Sequence, residues 1–199
     1  MLGRLTNTIQ GVVNFTWPTV IISVVVLVSF RVCYLVKNKQ KLVLYKELLG
    51  LSFVIYALCL FQVVTFQDNV SWSTNNFVPF REMFRYNIGS RLFVKNVLGN
   101  MLMFLPYGFF VSFYLKNKKP WITLALTLIA SFSIELVQMV IGRVFDIDDI
   151  ILNLLGGYFG YLLYYWSYKF YEKLPSVFKS EGFLNIVAAI ILIGIITIL

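Results

Sequence analysis

The sequence predicts an all-α integral membrane protein, a polytopic bundle of about six transmembrane helices, or five if one terminal span only lies at the interface. Three observations lead there. Hydrophobic residues fill 59% of the 199 positions, charged ones only 13%, and mean hydropathy is +0.81. The apolar residues fall in long continuous runs, without the alternation that barrel strands need. The loops between the runs alternate between lysine-rich and lysine-poor.

Residues 1–66 read as an N-terminal segment with two spans. Leu5, Ile9, Val12 and Val13 fall at helical spacing, which fits either a short interfacial helix or an extension of the first span. That span is expected from Pro18 to Val36, with proline in the first turn, where its missing donor costs nothing. After the basic loop Lys37, Lys39, Lys41 and Lys46, a second span runs from Glu47 to Phe66. Residues 67–168 form the core: a polar, aromatic loop to about Lys95, then spans over 96–115, 121–141 and 150–168. Residues 169–199 are a basic linker with Pro175 and a last apolar span.

The +8 formal charge sorts by location. Loops 37–46, 116–119 and 169–181 carry ten Lys and Arg; Arg4, Arg81, Arg85, Arg91, Lys95 and Arg143, on the other side, number six. The positive-inside rule places the first set in the cytoplasm and both termini outside. The basic residues are scattered rather than gathered on a soluble face, so no nucleic-acid partner is expected. Cys33 and Cys59 lie in apolar runs at different depths and read as packing residues, not a disulfide. With no histidine, a Cys/His zinc site and a His-dependent triad are excluded.

The topology converges on one place. Four of the nine acidic residues, Glu135, Asp146, Asp148 and Asp149, lie within 15 positions of an otherwise apolar stretch. Glu135 falls about 9 Å from the outer end of its span at 1.5 Å per residue. Asn96 and Asn100 open the third span, Gln138 and Arg143 close the fourth, and Asn153 opens the fifth. Every strongly polar intramembrane residue is therefore expected in the outer half, with no polar track reaching the other. Asp146, Asp149, Asn153, Gly156 or Gly157, and Gly160 recur at three or four and share a helical face, whose glycines admit close approach of another helix. Pro106 and Gly108 are expected to kink or loosen the third span. One arginine cannot neutralise four carboxylates; Arg143 is expected to pair with Asp146 or Asp149, and the surplus must protonate, meet water, or meet a cation or ligand.

The loop before the third span adds Asn76-Phe77-Val78-Pro79-Phe80, then Arg81-Glu82-Met83-Phe84-Arg85. Phe80 with Phe84 and Arg81 with Arg85 are spaced i, i+4, which predicts a short amphipathic helix on the outer surface. Arg81, Arg85 and Arg91 would meet lipid headgroups or clamp the phosphate of a lipid-linked substrate.

These elements resemble the VanZ-like family of bacterial membrane proteins. The resemblance rests on Asn76-Phe-Val-Pro79-Phe80, on Asn96-x-x-Gly99-Asn100-x-x-x-Phe104-x-Pro106-x-Gly108, on Glu135-x-x-Gln138, and on Gly142-Arg143-x-x-Asp146-x-x-Asp149-x-x-x-Asn153-x-x-Gly156. It covers about residues 70–168. It implies a role at the bacterial cell envelope, in the cytoplasmic membrane, and an association with glycopeptide (teicoplanin) resistance. The motif positions carry no catalytic assignment.

Four functions are weighed. The leading one is an outward-facing polar pocket of Asn96, Asn100, Glu135, Gln138, Arg143, Asp146, Asp149 and Asn153. It would bind a membrane lipid, a lipid-linked cell-wall precursor or a lipoglycopeptide antibiotic. The second is an acid/base or metal-dependent enzyme acting on a phospholipid or prenyl phosphate. Glu135, Asp146 and Asp149 would be its catalytic candidates, and Asp146 with Asp149 its metal candidates; no cofactor is specified. The third is a lipid transporter or scramblase, and the fourth a structural subunit.

Overall fold

The computed structural model describes residues 2–66, 75–81 and 83–198, with side chains from residue 17 onward except at 65, 66 and 198. The regular structure of the described residues is helical, apart from one isolated parallel bridge between Asn76 and Asp146. The helices are α1 (Leu2–Lys37), α2 (Leu44–Phe66), α3 (Arg91–Phe93), α4 (Gly99–Leu115), α5 (Trp121–Val140), α6 (Ile147–Lys173), α7 (Ser176–Lys179) and α8 (Glu181–Ile198). A π-helical turn, Val94–Leu98, joins α3 to α4. Among the described residues, four stretches are long and apolar enough to cross a membrane: Trp17–Lys37, Leu44–Val64, Arg91–Leu115 and Trp121–Val140. The remaining two spans expected from sequence correspond to α6, whose 27 residues include buried polar ones, and to the 18-residue α8.

The chain falls into two compact units, residues 1–63 with 173–199, and residues 64–172. In the first, α1 begins at Leu2 rather than Pro18, so proline sits inside a continuous helix. A proline is tolerated in membrane helices where local adjustments satisfy the freed carbonyl. The guanidinium of Arg31 donates to both oxygens of Glu47, at 2.8 and 2.9 Å, a bidentate link between α1 and α2. Asn185 of α8 accepts the Tyr45 N–H at 3.2 Å. Cys33 and Cys59 are free thiols.

In the second unit the helices meet backbone to backbone. Gly156 and Gly160 of α6 lie on the main chain of Met101 and Leu105 in α4, and Gly108 of α4 lies on the main chain of Gly157. A Cβ at Gly156, Gly160 or Gly108 would overlap these main-chain atoms, and one on Gly157 would meet Thr127 Oγ1 of α5 at 2.5 Å. In lipid no hydrophobic force draws helices together, so this close contact supplies the attraction. The expectation for α4 is corrected here. The helix runs through Pro106 to Leu115, and Gly108 is a tight contact rather than a loosened point. The irregular turn lies earlier, at Val94–Leu98. One wide turn resets the helix before its packed length begins.

α5 turns its polar side inward. Thr123, Thr127, Ser131 and Glu135, each four residues apart, are fully buried, while Ile129 is 62% and Val140 84% exposed. Small hydroxyls fit where helices approach closely and find hydrogen-bond partners there; the large aliphatic side chains face outward.

Candidate functional site

The site lies where α4 begins, α5 ends and α6 begins. Asp146 is the hinge of its loop. Its carboxylate Oδ1 accepts the Asp148 N–H at 2.9 Å, so it caps α6. The same oxygen accepts the Asn76 side-chain amide at 2.8 Å. Asn76 is buried, and its backbone bonds on both sides of Asp146: its N–H to the Phe145 carbonyl at 2.8 Å, its carbonyl to the Ile147 N–H at 3.0 Å. Asn75 Oδ1 adds a bond from the Phe145 N–H at 3.0 Å.

Asp148 fastens the same loop one turn on. Its oxygens accept the backbone N–H of Phe80 at 2.5 Å and of Met83 at 3.2 Å. Phe80 is held at φ +67°, a conformation unfavourable for a residue with a Cβ. These bonds account for a correction. The described part of the expected amphipathic helix is a single 3₁₀ turn, Met83–Arg85, because Phe80 is left-handed and its N–H is committed to Asp148. The Phe80 and Phe84 rings still lie together, with centroids 6.3 Å apart. Glu82 and the loop from 67 to 74 fall outside the described residues. Arg81, Arg85 and Arg91 are exposed.

Glu135, 1% exposed, accepts the Asp146 N–H on Oε2 at 2.9 Å. The Gln138 amide satisfies both neighbours with its nitrogen donating to Glu135 Oε1 at 3.0 Å and its oxygen accepting from Arg143 at 2.7 Å. Arg143 also donates to the Val64 carbonyl at 2.7 Å. The ion pair expected between Arg143 and Asp146 or Asp149 is therefore not made. The reason is local: Gly142, at φ +83°, turns the chain so that the Arg143 N–H bonds to the Gln138 carbonyl at 2.9 Å. The guanidinium is left beside Gln138 and Val64.

Asp149 accepts a hydrogen bond from the Asn100 side chain and lies in the field of Glu135 and Asp146. Asn153, 4% exposed, donates to Ser131 Oγ at 2.9 Å. Asn96 sits half-buried in the π-helical turn, with no side-chain hydrogen bond among the described residues. Asp146 and Asp149 thus turn to different partners, Asn76 and Asn100. Among the described residues no group of three or more Asp, Glu, Cys or His is arranged to hold a metal ion.

Sequence reasoning missed two features. Asn76 was read only as part of a motif and Asp148 only as one of four clustered carboxylates, and the structure makes them the fasteners of the loop. The second is a correction: polar groups do reach the far half. Ser112 Oγ lies 2.8 Å from Thr123 Oγ1, the Asn117 amide donates to Thr123 Oγ1 at 3.4 Å, and the Thr127 hydroxyl donates to the Thr123 carbonyl at 2.8 Å. The recurrence of Thr, Thr, Ser and Glu at every fourth position was the available signal.

The comparisons with known proteins take in this whole region. The VanZ/LLP1 family profile matches residues 53–168. Protein VanZ of Enterococcus faecium is 30% identical over 101 residues, which span 49% of this chain and 62% of that protein, under two thirds of its length. No solved structure matches the chain. The profile covers more than half of the sequence and includes Asn76, Asn100, Glu135, Gln138, Arg143, Asp146, Asp148, Asp149 and Asn153. A helical membrane protein with this extent of match belongs to the VanZ/LLP1 family.

Proposed function

We propose that this is a multi-pass protein of the bacterial cytoplasmic membrane, associated with glycopeptide (teicoplanin) resistance. Its acidic end binds the polar part of an amphiphile: a membrane lipid, a lipid-linked cell-wall precursor or a lipoglycopeptide. The lysine-rich loops lie in the cytoplasm by charge, so the acidic end faces outward. One observation carries the reading. Three apolar helices bring Asn100, Glu135, Gln138, Arg143, Asp146, Asp149 and Asn153 to one end, and Asp148 fastens an exposed loop bearing Arg81, Phe77 and Phe84 to that same end. Carboxylates and amides recognise amines and hydroxyls of a headgroup; exposed arginines and aromatic rings suit a phosphate and the interface.

The buried hydroxyls on α5 do not make a transport path. Ser112, Thr123, Thr127 and Ser131 are fully buried, and the bonds of Ser112, Thr123 and Thr127 close on one another and on the backbone. They support packing.

The test is binding of fluorescent lipid-linked precursor, phospholipid and teicoplanin to the protein in nanodiscs, beside the double variant Glu135→Gln with Asp149→Asn. We expect at least about a tenfold loss for one of the three, equal to about 1.4 kcal/mol, with a monodisperse, helical variant. Unchanged binding of all three ligands would remove the proposal.

A further inference from the structure

On their facing sides α5 and α6 pair in antiparallel register. Gly157 lies against Thr127, and one turn toward the acidic end Asn153 donates to Ser131 Oγ at 2.9 Å. Each helix advances four residues per step along this face, so the next pair is Asp149 with Glu135. The donors given to this pair are neutral: the Asp146 N–H and the Gln138 amide for Glu135, and the Asn100 amide for Asp149. Arg143 hydrogen-bonds to the layer through Gln138 and also lends its charge to both carboxylates. With Asp146 also beside them, Glu135 and Asp149 carry more negative charge than the one Arg143 guanidinium can balance.

Directly beneath the pair, Asn153 is 4% exposed, its nitrogen is fixed on Ser131, and its Oδ1 has no hydrogen-bond partner. A buried amide oxygen without a donor is uncommon and costly. This oxygen therefore sits in the layer next to a surplus of negative charge, and both need the same thing, a positive centre that oxygen can coordinate.

We propose that Glu135, Asp149, Asn153 and Ser131 hold a desolvated alkali-metal cation between α5 and α6. Oxygen donors alone suit hard cations. Four side-chain donors fall short of the roughly six to eight oxygens that calcium takes, and magnesium gives up its waters reluctantly, whereas this layer is buried among helices. Ion binding needs no amphiphile, so this proposal and the headgroup reading fail separately.

The experiment measures thermal unfolding of the purified full-length protein in detergent, at constant pH and ionic strength. Choline chloride is replaced in turn by lithium, sodium, potassium, magnesium or calcium chloride. An alkali ion is expected to raise Tm saturably, by about 5–10 °C at a hundred times its Kd. Asn153→Leu is expected to abolish the rise. If that variant does not fold, Asp149→Asn and ²³Na NMR line broadening on the unaltered protein carry the test. The proposal is overturned if choline matches every alkali ion, if only a divalent ion acts, or if the rise survives in each variant that folds.

Discussion

The two ends of the α4–α6 unit are built from polar residues in different ways. At the basic end, Ser112, Thr123 and Asn117 bond to one another, and the Tyr161 hydroxyl donates to the Lys118 carbonyl at 2.9 Å. The side chains of this network are neutral. At the acidic end, Glu135, Asp146, Asp148 and Asp149 are arranged around backbone N–H groups and amides, and Arg143 reaches a carbonyl and an amide oxygen instead of a carboxylate. A network that only had to hold helices together would resemble the first end. Neutral hydrogen bonds in membranes do this for modest energy, without desolvating charge. The second end carries carboxylates beyond what Arg143 can balance, and that surplus is the physical reason to look for a ligand there.

Substitutions at the two ends should separate their roles. The largest effect is expected where both ends depend on one contact. Gly108→Ala places a Cβ on the main chain of Gly157, which cannot yield without parting α4 from α6. A loss of about 3 kcal/mol or more is expected, read as lost monodispersity and a lower unfolding midpoint, together with lost binding of every ligand. An intermediate effect is expected at the basic end. Thr123→Val removes the hydroxyl shared by Ser112 and Asn117 and should cost about 1–2 kcal/mol in thermal unfolding, with headgroup binding unchanged. A change in binding there would erase the distinction between the ends. The smallest effect is expected for Arg81→Ala on the exposed loop. Stability should move by less than about 0.5 kcal/mol, and affinity for anionic lipid should fall by about 1 kcal/mol, an effect that fades at high salt.

Much of this was legible in the sequence, for reasons that differ by residue. The apolar runs gave the long spans because a bilayer demands that length. The i, i+4 face of Asp149, Asn153 and Gly157 gave the contact side of α6, since helical period alone fixes it. Arg143 was misread because its partner depends on the turn at Gly142, and a left-handed glycine shows no periodicity. The hydroxyl row was overlooked because Thr and Ser in an apolar run look like ordinary filler; only the neighbouring glycines make their burial necessary. Glu47 read as the polar start of a span, and its partner Arg31 lies 16 residues away on another helix, beyond any local pattern.

The glycine seam has a consequence for traffic. Main chain rests on main chain at Gly156, Gly160 and Gly108, so α4 and α6 leave no slot between them wide enough for an acyl tail. A lipid cannot enter sideways along that line, as it would through a lateral gate. Any amphiphile reaching the acidic cluster has to leave its tails outside the three-helix seam and bring only its head over the rim, past the loop that Asp148 holds in place.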